Sequence, residues 1–518
     1  MSPPMPMPPE ATASPRPGRD VLPGRQSSED PQMTGMNIGR GILSTAASAW
    51  TRQAATLLLY VVAARVLTPE QIGIFALANA IILIFEYSVY DAISESVVQR
   101  ADLGPGHFGA ATSLSAGLAA LIALGSWLLA GPLGAALGTP EIAHYLPLMG
   151  APVALLCLSS SYAGALRRAA RFDTIAKLAA FAAITAVATG VVLLLAGAGL
   201  MGLMAYFATE KLILTLGTIW LARREPIRRC RAAELRALLP YASAISVQRA
   251  AFYARGQTDR LIIGIVWGTG VLGAYQIAAR IFDSLQAALL APISKLFFVS
   301  YTRAQLEPGV LREIFGRSLR ATSLLLFPAF LGISAVAHET IILLFGPQWE
   351  STAVIVQIMG FGGAALTLSV MSGGVISAIG RARSFLFVEV ASSILGILLL
   401  VLLSPFGIVW MAASFVIRET FAVVLYARLL RGLLGLRVSE YLGHFLPALS
   451  ASGIMWLLLF LLDQRFLGGL SPETALGAKI AVGALSYGGL MLAFCRPLLR
   501  DALRLVGQPG AQPRESGA

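Results

Sequence analysis

Fourteen apolar stretches, each long enough to cross a bilayer, leave this chain few ways to fold. They run approximately 42–64, 72–98, 109–130, 143–165, 173–196, 199–221, 241–266, 271–298, 319–343, 352–379, 385–404, 407–427, 445–463 and 475–495. A helical span needs about 20 residues at a rise of about 1.5 Å each. Within a bilayer only helices and closed barrels satisfy every backbone group, and these runs are too long and unbroken for barrel strands. The expected fold is an all-α polytopic membrane protein of about 14 transmembrane helices. Composition supports this: 13% of the 518 residues are charged, against about 25% in a soluble domain. The mean hydropathy is +0.74.

The ends differ from the middle. Nine prolines fall in the first 31 residues, with almost no aliphatic run. Residues 1–36 are therefore expected to form a disordered cytosolic tail. They lack the apolar core of a signal peptide, and Met33 or Met36 is a candidate start. A second cytosolic tail is expected over 498–518. With the amino terminus placed in the cytosol, 27 Lys and Arg fall in cytosolic segments, and only Arg65, Arg465 and Lys479 on the far side. This bias sets the orientation and calls for an even number of helices, with both termini cytosolic. It also accounts for the net charge of +12; no basic patch on a soluble fold points to nucleic acid. The three cysteines, Cys157, Cys230 and Cys495, have no paired spacing, so neither a disulfide framework nor a metal site is expected.

The chain repeats itself. Val66–Ala78 aligns with Val266–Ala278, bringing Gly73 onto Gly273. Ala165–Ala169 with Phe172 aligns with Ala378–Ala382 with Phe385. Gly199, Ala205, Phe207 and Glu210-Lys211 align with Gly407, Ala413, Phe415 and Arg418-Glu419. The matches keep their order, each about 210 residues apart. Six helices per copy gives both copies one orientation, hence a pseudo-twofold axis along the membrane normal and a central site between two lobes. The expected organisation is a six-helix lobe over 37–222, a basic cytosolic linker over 223–240, a second six-helix lobe over 241–430, and helices 13 and 14 over 431–497.

Charges persist inside the spans. An exposed charge at mid-bilayer costs about 2.5–3.5 kcal/mol on the insertion scale, so such residues should face protein or a wet cavity. The first span carries Arg52; the second Glu86, Asp91 and Glu95; the seventh Arg249, Arg255, Asp259 and Arg260; the eighth Arg280, Asp283 and Lys295. Arg249, Tyr253 and Arg260 share one helical stripe. Arg255 with Asp259, and Arg280 with Asp283, have the spacing of local ion pairs. In the second span Glu86, Tyr87, Tyr90, Asp91, Ser94 and Glu95 form a wet half. Ile82, Phe85, Val89, Ala92 and Ile93 form an expected lipid half. Two readings stand: ion pairs that tie helices together, and a cationic cavity for an anionic substrate. Arginine's planar fork of donors matches phosphate, and tyrosines suit sugars. Arg52 and Arg249 have no carboxylate at helical spacing, which favours the cavity. No nucleotide-binding loop and no large soluble loop is present, which leaves transport rather than enzyme catalysis.

The turn Ala64-Arg65-Val66-Leu67-Thr68-Pro69-Glu70-Gln71-Ile72-Gly73, and the later turn with Arg167, Arg168 and Phe172, resemble the polysaccharide-transport (Wzx-type) flippases of lipid-linked oligosaccharide. That family is related to the multidrug (MATE) exporters and the lipid II flippase. The resemblance covers about residues 37–497, and the 6+6+2 arrangement is similar too. It implies transfer of undecaprenyl-diphosphate oligosaccharide between leaflets, with the headgroup in a central cationic cavity and the tail in lipid. By placement, Arg52, Arg249, Arg255 and Arg280 are the candidates for diphosphate contact. Glu86, Tyr87, Tyr90, Asp91, Tyr253, Asp259 and Asp283 are candidates for cavity lining or coupling to H+ or Na+. A polysaccharide polymerase is a candidate partner; no cofactor is implied. The alternatives are a cation-coupled drug exporter, the lipid II flippase, and a membrane glycan polymerase or ligase. The basic helices disfavour the first, and the short periplasmic loops disfavour the last.

Overall fold

The computed structural model describes residues 50–99, 105–223, 232–467 and 470–494. Every regular element among them is helical. The expected tails and residues 224–231 of the expected linker lie outside the described residues. In the first half, α1 covers 50–66, followed by α2 (Pro69–Gln99), α3 (Pro105–Leu128) and the short α4 (Ala130–Ala136). Helices α5 (Ile142–Leu158) and α6 (Ser160–Arg168) form one path bent by 42°. Helices α7 (Phe172–Leu195) and α8 (Met201–Leu221) complete that half. The second half opens with α9 (Ala232–Val266) and α10 (Gly268–Leu285), which runs through a π-helical turn, Gln286–Leu290, into α11 (Ala291–Arg303). Then come α12 (Pro308–Ala335), α13 (Ala337–Leu344), α14 (Glu350–Ala378), α15 (Ala382–Leu402) and α16 (Ile408–Leu434). The chain ends in α17 (Val438–Leu462) and α18 (Pro472–Phe494).

Within the described residues, every expected stretch falls on one of these helices or on a consecutive pair. By length and composition, ten helices among the described residues can cross a membrane, or eleven with the bent α5/α6 pair. The stretches outside that set are α1, described only from residue 50, and α8 and α9. Helix α8 carries Glu210-Lys211 at its centre, and α9 carries Arg249, Arg255, Asp259 and Arg260. Charge, rather than length, sets α8 and α9 apart, and the count of fourteen stays a sequence expectation.

Helix α2 starts where its sequence dictates. Thr68 and Gln71 form a capping box: the Gln71 amide donates to Thr68 Oγ1 at 3.4 Å, and the Thr68 amide to Gln71 Oε1 at 3.1 Å. Pro69 needs no amide partner at the first helical position. This start puts Gly73 in the opening turns of α2, where the two halves meet backbone to backbone. A Cβ on Gly73 would lie 1.8 Å from the carbonyl oxygen of Thr269, and a Cβ on Gly273 1.9 Å from that of Pro69. Gly73 and Gly273 are equivalent in the repeat, and so are Pro69 and Thr269. The contact is reciprocal, as a twofold relation produces.

The same end carries further ties between the halves. Trp349 Nε1 and Gln348 Nε2 both donate to the Ala64 carbonyl at 2.8 Å. Arg65 donates to the carbonyls of Leu343 and, at 2.9 Å, Leu344, which satisfies acceptors that α13 leaves open at its end. Lys479, counted from the sequence as a far-side loop cation, is instead 2% exposed within α18. Its ammonium bonds Glu339 of α13 at 2.6 Å and Asp463 after α17 at 2.8 Å, fastening the last two helices to the body.

Helix α2 packs against α9 and α10 and also against α5 and α6. This corrects the expected lipid half. Ile82, Val89, Ala92 and Ile93 are buried in protein, and only Phe85, 49% exposed, faces outward. A central helix has apolar neighbours on its apolar side, and a sequence pattern cannot tell these from lipid.

The glycine contact predicts a specific sensitivity. Gly73→Ala or Gly273→Ala forces the helix starts apart at an overpacking cost of about 1–3 kcal/mol. The purified protein should show a lower Tm for both, whereas Gly453→Ala, which meets nothing within 4 Å, should not. An unchanged Tm in the first two would show that the close approach is not required.

Candidate functional site

Helix α2 carries four acidic residues, and the three in its second half, Glu86, Asp91 and Glu95, each find a base on another helix. Glu86 and Lys211 of α8 are both buried, Nζ to Oε1 2.6 Å. Asp91 lies 3.6 Å from Arg167 of α6, whose guanidinium also sits 5.8 Å from the centre of the Tyr90 ring. Glu95 accepts from Arg249 of α9 at 2.8 Å. One turn further along α9, Tyr253 stacks on Tyr87 with centroids 4.0 Å apart and planes 8° apart. The stripe of Arg249 and Tyr253 read from the sequence therefore faces α2.

The second half has a network of its own. Arg255 bonds Glu389 of α15 at 2.9 Å and Ser393 at 3.1 Å. Asp259 accepts from Arg418 of α16 at 2.8 Å, and Arg418 also reaches Glu419 at 3.1 Å. The Tyr426 hydroxyl donates to the remaining oxygen of Glu389 at 2.9 Å. The local pairs expected on α9 and α10 do not form. Arg255 takes Glu389 and not Asp259, and Asp283 lies 3.7 Å from Arg260 rather than pairing with Arg280. The physical reason is that α15 and α16 bring their own charges against α9, and these contacts are shorter than a reach along one helix face. Glu389 and Tyr60 escaped the sequence reading. An acid inside the eleventh span, and a tyrosine two turns after Arg52, were the available signals.

Two arginines stand apart from this pairing. Arg280 has no carboxylate within 4.0 Å among the described residues. Its guanidinium lies over the Tyr60 ring, 4.5 Å from the centroid, and donates to the Tyr60 hydroxyl at 3.4 Å. Its buried Nε has no partner. Arg52 is exposed and likewise lacks an ion pair among the described residues. The two share one seam, because Gln53 donates to Ser284 at 2.8 Å and so joins α1 to α10. Arg52 is eight residues from Tyr60, or about 12 Å along the helix. Of the four arginines placed at the headgroup by sequence, Arg249 and Arg255 are thus already bonded to carboxylates. Arg52 and Arg280 keep donors for an anion. No cluster of metal-ligating residues occurs among the described residues.

Residues 62–354, more than half of the chain, match the sequence profile of a family described as polysaccharide biosynthesis protein. The chain belongs to that family. It is 20% identical over 302 residues to the lipopolysaccharide biosynthesis protein WzxC of Escherichia coli K12, covering 58% of this chain and 61% of WzxC. It is 23% identical over 306 residues to the succinoglycan biosynthesis transport protein ExoT of Rhizobium meliloti, covering 59% of this chain and 62% of ExoT. The matched region thus spans less than two thirds of the length of either relative. In fold it is similar to the lipid II flippase MurJ in an inward closed conformation. The TM-score is 0.71 at 15% identity, over 88% of this chain and 99% of MurJ. The family member described here is a multi-pass membrane protein.

The Glu86–Lys211 pair predicts an asymmetry between variants. Lys211→Met leaves a buried carboxylate unpaired and should destabilise by about 3–5 kcal/mol, while the Glu86→Leu/Lys211→Met double variant should lose much less. Membrane abundance and Tm check this. Equal losses in single and double variants would show that the pair does not govern the site.

Proposed function

We propose that this protein is a flippase. It moves an undecaprenyl-diphosphate-linked oligosaccharide, an O-antigen or exopolysaccharide repeat unit, from the cytosolic to the periplasmic leaflet of the bacterial inner membrane. The observation that carries the reading is the pair of carboxylate-free arginines, Arg52 and Arg280, on the α1/α10 seam. They stand in a fold whose other mid-depth arginines are neutralised. A diphosphate supplies the acceptors these donors lack, and charge-assisted bonds of this kind are the strong ones. The family membership and the names of WzxC and ExoT support a role in polysaccharide export. The acids that α2 carries at this depth, Glu86, Asp91 and Glu95, are all paired with bases, which disfavours a cation-coupled drug exporter that uses them for cationic drugs.

The mechanism is alternating access. Residues 37–222 and 241–430 act as two lobes that rock about the central seam, with 431–497 as an added pair of helices and both termini cytosolic. The described state is closed at the α1–α2 turn, by the reciprocal glycine contact and the Ala64, Arg65 and Trp349 bonds. The charge bias puts that end in the periplasm, so this state is closed to the periplasmic side. The acidic groups Glu86, Asp91 and Asp259 are the candidates for H+ or Na+ coupling.

The reading is tested in a strain lacking the protein and any second flippase. Undecaprenyl-diphosphate oligosaccharide should accumulate and surface polymer should disappear. Arg280→Ala and Arg52→Ala should each lower restored polymer about tenfold or more at normal protein level, the size of a lost charged hydrogen bond. Arg249→Ala and Arg255→Ala should act mainly through lower abundance, because each strands a carboxylate. Wild-type polymer in the Arg52 and Arg280 variants would reject the diphosphate assignment. No change in any polyprenyl lipid on deletion would reject the flippase.

A further inference from the structure

A cavity of about 820 Å³ lies in the second half of the chain, walled by α9, α11, α14, α15 and α16. The diphosphate site described above makes no use of it. Its charged lining is Arg255, Lys295 and Arg418 against Asp259, Glu389 and Glu419, three of each sign. Both arginines are already bonded to these acids. The lining therefore carries no net charge for a phosphate or a cationic ligand, and the exposed Lys295 is its one cation without an ion pair among the described residues. What it does have is unspent hydrogen-bonding capacity. Each carboxylate offers about four lone-pair positions and each guanidinium five N–H groups, more than their mutual bonds consume. The hydroxyls of Thr258, Ser392 and Ser393 donate to backbone carbonyls of Ala254 and Glu389; Ser393 also accepts from Arg255, and the remaining lone pairs are left for incoming donors.

Apolar ring surface lies beside these groups. Phe252, Phe298 and Phe385 line the same cavity, and Phe252 is 55% exposed. Planar polar groups matched to hydroxyls, beside aromatic faces matched to the C–H face of a pyranose ring, form the chemistry that recognises a neutral sugar. Pockets of this size bury most of a small ligand and use a few placed polar groups to orient it.

We propose that this cavity holds sugar residues of the lipid-linked oligosaccharide, while the diphosphate rests on Arg280 and Arg52. The proposal rests on the flippase reading and assigns its two chemical parts to two places. Phosphate goes to the seam with uncompensated cations, and sugar to the cavity where charges cancel. Glycan selectivity then resides in α9, α14, α15 and α16, apart from the phosphate contacts.

Gly256 supplies the test. It lines the cavity on α9, and a Cβ there would meet nothing within 4 Å, so a large side chain can enter the space without displacing the wall. Affinities of the purified full chain in lipid nanodiscs are measured for two probes. One is undecaprenyl diphosphate; the other is undecaprenyl-diphosphate oligosaccharide extracted from the deletion strain. The wild type should prefer the glycan-bearing lipid by about tenfold or more. Gly256→Phe should bring that ratio to about one, and so should Ser377→Trp, which fills the space from the α14 wall. Gly453→Phe, outside the cavity, should keep the preference. Equal wild-type affinity for the two lipids, or a preference that survives both filling variants, would overturn the sugar assignment and leave the flippase standing. Absence of wild-type binding to either lipid would overturn the flippase reading and this one with it.

Discussion

An arginine held at mid-bilayer on a lipid-facing helix costs about 2.5–3.5 kcal/mol on the insertion scale, and this protein meets that cost with partners from other helices. Glu86 reaches α8, Glu95 reaches α9, Arg255 reaches α15 and Asp259 reaches α16. Such pairs add little net stability, because desolvation offsets most of the attraction. Their effect is on register. A helix that slides by one turn strands a charge, so the network fixes how α2 and α9 sit against their neighbours. Helices α2 and α9 each bear several of these charges, and they pack extensively on one another.

The positions of the helices were legible in the sequence because hydrocarbon thickness sets a length that any apolar run must match. The reciprocal contact of Gly73 and Gly273 was half legible: the repeat paired the two residues, but their touching depends on how the two halves meet. The partners of the charges were not legible. Spacing along one helix pointed to Arg255 with Asp259 and Arg280 with Asp283, whereas the partners come from other helices: Arg255–Glu389 and Arg418–Asp259 lie more than a hundred positions apart, and Asp283 faces Arg260 of the preceding helix. Periodicity reports which way a side chain points and says nothing of what stands opposite. The apolar half of α2 failed for the same reason: protein and lipid are equally apolar neighbours for Val89 and Ile93.

The two kinds of contact between the halves differ in how easily they part. At the α1–α2 turn the halves meet through bare backbone and a few hydrogen bonds, from the exposed Arg65 to the fully buried Trp349–Ala64 bond. Along α2 and α9 they meet through the Tyr87–Tyr253 stack and the Glu95–Arg249 bond. Both ends of that bond are partly exposed, which lowers the cost of parting them below that of the buried Glu86–Lys211 pair within the first half. Rocking of the proposed kind thus breaks contacts between the halves, the partly exposed Glu95–Arg249 bond and the buried Trp349–Ala64 bond among them, and keeps the Glu86–Lys211 pair inside one half intact.

Charge balance also explains why one protein can treat the two parts of its proposed substrate differently. Diphosphate is common to every polyprenyl-linked sugar, so a site that holds it through uncompensated arginines gains affinity without selecting a glycan. Selectivity needs groups that distinguish one hydroxyl pattern from another, and free charge nearby would swamp such differences by binding phosphate in the wrong place. The pairing of Arg255 and Arg418 with Glu389, Asp259 and Glu419 removes that competition while leaving directional donors and acceptors in place. Opposite charges cancel at a distance but remain distinct at hydrogen-bonding range, and a cavity whose arginines are closed into ion pairs and whose lining has no net charge can therefore read shape and hydroxyl placement where a single arginine would read only charge.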